Sequence, residues 1–369
     1  MSAMPIYQPD QITPRWLTAA LQQTGSLTYS RVEEIQISLK DAFNSQVAYL
    51  QVSYSPQAEA EAPTALLVKL NQHGDGAIEV DFYQQAMQQP AFRLPMLARC
   101  YYASLDAQRI YSCLLLQDIS ASHTTPVSRQ ALLSGEGMPS KPVMESIITA
   151  LAGFHAWWWE RPYSGEAARL TRVRDWYGSA ELHAEHVRRR ECELEYFLAC
   201  AGADFPAELG ITLKNALKRL PGLWESYLRA RVREYRQLTL THGDCYLTNI
   251  LTPNDQSGQV YLVDFDSASG NFAVFDLVYL LATFWRRSQR LENGREQALL
   301  VAYHRALTDF GVRNYSYDNL LMDYQLMLSY MLFDPVADLV RGSPRSYWWP
   351  KLNRLMAAYQ DWDCAKLPL

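Results

Sequence analysis

The hydrophobic period of this chain changes about a third of the way along. Near the start, Thr13 followed by Pro14 reads as a helix cap and first turn, opening a short helix through "RWLTAALQQTG" that Gly25 ends. Ala48, Leu50, Val52 and Tyr54 then alternate with polar or smaller residues, the two-residue period of a half-buried strand. "TALLVKL", residues 64–70, is a second strand, and "GAIEVDFYQQAMQQ" is a helix with Pro90 beyond its end. Strand patterns return at 98–102 and in "RIYSCLLLQDI", residues 109–119.

After "SASHTTP" the pattern turns helical. Val143, Ile147, Leu151, Phe154 and Trp158 form one stripe at helical spacing. Further helical patterns cover about 179–201, 211–235, 274–289, 295–310, 318–333 and 346–360. One hairpin interrupts them, with Ile250 and Leu251 on one arm, "PNDQSG" at the turn and 260–263 on the other. The pattern predicts an α+β chain: a sheet-rich lobe over 1–118, a connector near 118–125, and a mainly helical lobe over 119–369 that carries the hairpin.

Composition narrows the classes. At 369 residues, with 49% hydrophobic and 20% charged, the chain is globular and long enough for two domains. A net charge of -5 argues against a general nucleic-acid binder, which needs a basic surface to displace counterions. No apolar run approaches the roughly 18 to 20 residues of a membrane span, and the first residues lack the basic-then-apolar order of a signal peptide. Six cysteines without CxxC spacing fit free thiols in a reducing cytoplasm, and favour neither a zinc site nor a disulfide framework.

The chemistry concentrates in "LTLTHGDCYLTNILTPNDQSGQVYLVDFDSASG". Two apolar runs there enclose His242, Asp244, Asn249, Asp264 and Asp266, and a buried carboxylate must be paired or bound to metal. The hairpin brings the chain back near its start, so Asp264 can approach Asn249. A carboxylate and an amide oxygen are hard ligands suited to Mg²⁺, which completes its shell with water and substrate phosphates. Asp244 is then free to accept a proton from an attacking hydroxyl. The spacing H-x-D-x₄-N followed by a strand and D-F matches the catalytic and metal loops of kinases. Singly, each residue has a plainer reading as a turn or strand-end group; the order and spacing together carry the chemistry.

"HGDCYLTNI", "LVDFD" and "FDLVYLL" resemble the aminoglycoside phosphotransferase and choline kinase group of the protein-kinase-like superfamily. "HGDC" with "ALAGFHAWWW" and "LLLQDIS" is most similar, within that group, to the ecdysteroid-kinase-like small-molecule kinases. The resemblance runs from about Thr13 to the C-terminal helix. It implies a two-lobed fold with an antiparallel-sheet first lobe, ATP and Mg²⁺ as cofactors, and a small-molecule hydroxyl as acceptor. It implies Asp244 as catalytic base, Asn249 and Asp264 as Mg²⁺ ligands, and Asp276 as a buried support for the catalytic loop. Lys69, closing an apolar strand, and Glu79, in the first turn of the next helix, match the kinase pair that grips the phosphates. Glu79 opens an "E-x-x-F-Y" pattern through Phe82 and Tyr83.

The phosphate loop departs from the kinase pattern. No G-x-G-x-x-G precedes Lys69; "LKDAFNSQVAYL" stands there, with Asn44 and Ser45 as candidates for phosphate contact. Adenine recognition falls to backbone groups of Gln117 and Ile119. "GDGAIE" lacks the third glycine of a dinucleotide fingerprint, and no G-x-x-x-x-G-K-[ST] occurs. Asp266 reads either as a contact to a second metal or water, or as a surface aspartate, and His242 as a structural hydrogen-bonding residue. His183, His186 and the run Arg188, Arg189, Arg190 read as the solvated face of a helix. The acceptor is open: Trp157, Trp158, Trp159, Trp348, Trp349 and Trp362 could wall its cleft or simply fill a core. A pseudokinase and a metal-dependent phosphatase are the rival readings; the scattered histidines disfavour the second.

Overall fold

The computed structural model describes residues 3–41, 45–56, 62–72, 74, 76–88, 94–162, 168–202, 204–255 and 258–369. The chain divides into two units: Met1–Thr124 with Leu251–Ala268, and Thr125–Ile250 with Ser269–Leu369. The hairpin residues from Leu251 onward thus group with the first unit, although helices flank them in sequence.

In the first unit, helix α1 (Pro14–Gln23) starts where the sequence predicts, with the Thr13 hydroxyl accepting from the Trp16 N–H at 3.2 Å. Such a cap contributes about 1 kcal/mol. Gly25 follows the helix at φ +70°, a conformation that costs glycine little. An antiparallel sheet comprises β1 (Val32–Asp41), β2 (Ser45–Tyr54), β3 (Ala65–Asn71), β4 (Cys100–Leu105) and β5 (Ser112–Gln117), in the order β1-β2-β3-β5-β4. Leu50, Leu66, Val68 and Leu70 share one core with Trp16, Leu17 and Leu21 of α1. Side chains alternate across a strand, so Lys69 faces away from that core, where helix α2 (Ala77–Gln88) packs near β4 and β5. A small sheet adds β6 (His123–Thr124), β8 (Ile250–Pro253) and β9 (Tyr261–Leu262), in the order β6-β8-β9. Strand β1 is absent from the periodicity reading. It is an edge strand with little to bury: Ile37 and Leu39 alternate correctly, yet are 42% and 61% exposed.

The second unit is built on helices. All five stripe residues of Lys141–Trp158, from Val143 to Trp158, are buried, and this helix packs on Arg295–Asp309. Strand β7 (Thr239–Thr241) pairs antiparallel with β10 (Ser269–Asn271), Leu240 opposite Gly270. A side chain at Gly270 would meet the Thr171 carbonyl oxygen at 2.3 Å, so the close approach requires glycine. Arg231 and Asp323 form a buried two-bond ion pair at 2.5 and 2.8 Å, to which the Tyr315 hydroxyl donates at 2.8 Å.

One helical face corrects the sequence reading. His183 and His186 are buried, on the same side of Ala180–Cys200 as Val187, Leu194 and Phe197. The spacing of three and four residues that aligns this stripe also carries the histidines inward. Arg188 and Arg189 are exposed as expected, whereas Arg190 is only 13% exposed and donates to Glu193 at 2.7 Å.

Candidate active site

Lys69 is the centre of the first unit's polar cluster. Its ammonium donates to Glu79 Oε2 and to Asp264 Oδ1, both at 2.6 Å, and lies 3.5 Å from Asp266 Oδ2. The other oxygen of Glu79 accepts the Phe265 N–H at 3.2 Å, and the Phe265 ring stacks on Phe82 of α2 at 4.1 Å. One glutamate therefore ties strand, helix and the D-F-D segment together. Burial pulls the Lys69 pKa down, but Glu79, Asp264 and Asp266 more than offset this and hold it above its ordinary value. Asp264 sits at φ +72°, in the left-handed region that aspartate tolerates better than most residues.

This cluster suits a hard cation. Ligand oxygens of Glu79, Asp264 and Asp266 lie within 4.8 Å of one another. Burial and the Glu79 and Asp264 carboxylates push the Asp266 carboxyl up to about 8, against the pull of Lys69. Asp266 Oδ1 is buried and makes no hydrogen bond within the protein. A crowded carboxyl that keeps its proton near neutrality is one that a divalent ion can deprotonate and bind.

The second unit supplies a rigid polar loop. The chain leaves β7 at Thr241 and turns at Gly243, whose φ is +81°. Asp276, fully buried, clamps the turn: it accepts the His242 N–H at 2.7 Å and the Gly243 N–H at 2.9 Å. His155 Nε2 lies 3.0 Å from the same carboxylate, and His155 Nδ1 lies 2.8 Å from the Tyr303 hydroxyl. Burial alone would raise the Asp276 pKa, but the His155 and Gly243 hydrogen bonds and the nearby His155 and His242 rings hold it below the ordinary carboxylate range. The Asn249 amide nitrogen then donates to the Asp244 carbonyl and to Asp244 Oδ2, each at 3.0 Å. Asn249 thereby fixes the Asp244 carboxylate and keeps its own amide oxygen as the atom able to ligate.

A family model for ecdysteroid kinase-like proteins matches residues 78–315. The chain belongs to the ecdysteroid kinase-like family. Its fold is the α+β, protein-kinase-like fold of small-molecule phosphotransferases. A protein of Ralstonia eutropha assigned as an aminoglycoside phosphotransferase superposes with a TM-score of 0.56 at 11% identity, over 95% of this chain and 97% of that one. An ethanolamine kinase of Plasmodium vivax gives 0.50 at 10% identity, over 89% and 84%. No curated protein matches the sequence.

The remaining residues expected in this kinase-like site divide unevenly. Asn44 lies outside the described residues, and Ser45 opens β2 opposite Asn71. Gln117 closes β5, its N–H bonded to the Arg99 carbonyl at 2.8 Å, and Ile119 is buried with its carbonyl accepting from Ser122 and His123. Of the two readings open for the tryptophans, the contacts favour packing. Trp158 and Trp348 are core residues, Trp159 packs on Tyr315, and the Trp362 indole donates to Glu296. A cavity of about 420 Å³ in the second unit is lined instead by Trp176, Tyr246, Phe275, Tyr279, Tyr330 and Tyr347, among others. Sequence reasoning singled out none of these rings, nor His155, although Tyr246 stands two residues after Asp244 and Phe275 and Tyr279 fall within the "FDLVYLL" run. Among the described residues no helix is long and apolar enough to cross a membrane.

Proposed function

We propose that this protein is an ATP- and Mg²⁺-dependent kinase that phosphorylates a hydroxyl group of a small molecule. The observation that carries the reading is the Lys69 ammonium held at 2.6 Å by both Glu79 and Asp264. A lysine fixed in this way presents a permanent positive charge to phosphate oxygens without having to be ordered on binding. Adenine is read by backbone groups at the β5 end, Gln117 to Ile119. Leu114 of β5 pairs with Lys69, and three residues of strand from there to Gln117 span about 10 Å, a distance suited to an adenine and its phosphates. Ser45, the first residue of β2, and Asn44, which precedes it in sequence, are assigned to the phosphates.

Asp244 is the catalytic base. It takes the proton of the acceptor hydroxyl as that oxygen bonds to the γ-phosphorus and the bond to the departing ADP oxygen breaks. Asn249 and the backbone clamp at Asp276 keep the base in position before the acceptor arrives. Asp264 offers a carboxylate and Asn249 an amide oxygen to Mg²⁺, with Asp266 as a further carboxylate. When bound, the ion neutralises charge on the phosphates and orients them.

The test is ADP release from Mg·ATP across hydroxylated metabolites spanning amino sugars, choline-like amines, sugars, hydroxy acids and sterols. Acceptor-dependent release is expected for at least one class. Failure of the protein to bind Mg·ATP at all would overturn the reading.

A further inference from the structure

The cavity of about 420 Å³ has the size of a small-molecule site and adjoins the catalytic loop through Tyr246, whose N–H bonds the Asp244 carbonyl at 2.8 Å. Its charge is uneven. Arg174, Arg190, Arg341 and Lys351 line it, against Asp334 and Asp338. Both acids are already engaged. Asp338 accepts from Arg341 at 2.7 Å and from Lys351 at 3.0 Å, and Asp334 lies 3.7 Å from Arg190. Glu193 also binds Arg190, yet four cations against three carboxylates still leave the positive charge in excess.

Two of the lining cations are held against rings. The Arg174 guanidinium lies over the Phe275 ring at 4.5 Å, and the Lys351 ammonium stands 5.8 Å from the Tyr279 ring and 5.9 Å from that of Tyr347. Lys351 is 4% exposed. The Nε–H of Arg190 is buried and donates to nothing within the protein. Trp176, stacked on His186 at 5.0 Å, adds a flat apolar wall, so ring faces and cations line the same space. A cationic ligand would meet four like charges and find each lining carboxylate already paired. An anionic ligand meets the excess positive charge, and a planar body fits the rings.

We propose that this cavity selects, as acceptor, an alcohol on a flat and largely apolar body that also bears an anionic group such as a carboxylate, and that it refuses polycationic amines. The proposal rests on the kinase reading for the fate of the hydroxyl, which points toward Tyr246 and Asp244. It does not rest on that reading for binding.

Three probes on one ring body test it: a hydroxymethyl-naphthoate, the matching neutral naphthamide, and the matching aminomethyl compound. Binding to the full-length protein is measured by calorimetry, and ADP release from Mg·ATP is measured in parallel. The carboxylate is expected to bind about tenfold or more tighter than the amine, a preference that salt reduces. Arg174→Gln should erase the preference and Arg174→Lys should retain it, with circular dichroism showing both variants folded. Equal or tighter binding of the amine, or no binding of any probe, overturns the proposal. Preferential binding of the carboxylate without phosphate transfer supports the cavity assignment and counts against the kinase. Preferential phosphorylation of the amine does the reverse.

Discussion

Asp276→Asn is the substitution that most sharply tests how the loop that carries Asp244 is held. The native carboxylate receives three hydrogen bonds: His242 N–H and His155 Nε2 on one oxygen, Gly243 N–H on the other. An asparagine keeps one acceptor and turns an amide nitrogen toward at least one of those donors. One charge-assisted bond worth about 1.5–3 kcal/mol is lost, and a buried N–H left unpaired adds about 1–3 kcal/mol, so a loss of about 2.5–6 kcal/mol is expected. That is a large share of the roughly 5–15 kcal/mol that holds a typical protein folded. Urea unfolding followed by tryptophan fluorescence and far-ultraviolet circular dichroism measures it. Asp309→Asn serves as control; that side chain is 71% exposed and should stay within about 0.5 kcal/mol of wild type. The Asp276 pKa is lower in the folded chain, so its stabilisation is present above the ordinary value of about 3.9 and drains as pH falls through the folded value. The variant should lack that acid-side loss. A destabilisation below about 1 kcal/mol, with the same acid dependence as wild type, would refute the clamp.

Three further outcomes follow from the same geometry. Asp264→Ala should weaken Mg²⁺-dependent nucleotide binding in calorimetric titrations, and unchanged metal dependence would remove Asp264 from the metal site. Asp323→Ala should cost about 3–5 kcal/mol in urea unfolding, because it strands the Arg231 guanidinium, which is 8% exposed; a neutral outcome would show that the pair is dispensable. Burial lowers the His183 pKa to about 4 and that of His186, also pressed by Arg190 and Arg189, to about 3. The unfolded chain therefore takes up protons that the folded one refuses, and stability should decline as pH falls below about 6.5. The double variant His183→Gln/His186→Gln should flatten that slope; an unaltered slope would assign it to other groups.

What the sequence made legible was local. Thr13 and Pro14 announce their helix because a cap acts within one turn, and Asp244 and Asn249 declare a loop because their separation is short and specific. Lys69 and Glu79 stand ten residues apart and read as a pair only through a family pattern, yet they meet at 2.6 Å. Distance along the chain hid the rest. His155 reaches Asp276 across 121 residues and Tyr303 across 148, and nothing near His155 in sequence marks either partner. His183 and His186 lie among charged residues that suggest solvent, while the helical period turns both inward. The tryptophan-rich segments drew attention by composition, but of their six rings Trp158 and Trp348 fill cores, the other four are half-buried, and none lines the cavity. The cavity takes its rings from separate stretches between Trp176 and Tyr347, a convergence that only the tertiary fold creates.

The central claim is that Asp244 removes a proton from an alcohol as phosphate moves to it. Single-turnover transfer from γ-labelled ATP to the best acceptor, compared between wild type and Asp244→Asn at equal nucleotide occupancy, tests this most directly. The account predicts that the variant binds Mg·ATP with nearly unchanged affinity and transfers phosphate about 10²–10⁴-fold more slowly. Transfer by Asp244→Asn at the wild-type rate would contradict it.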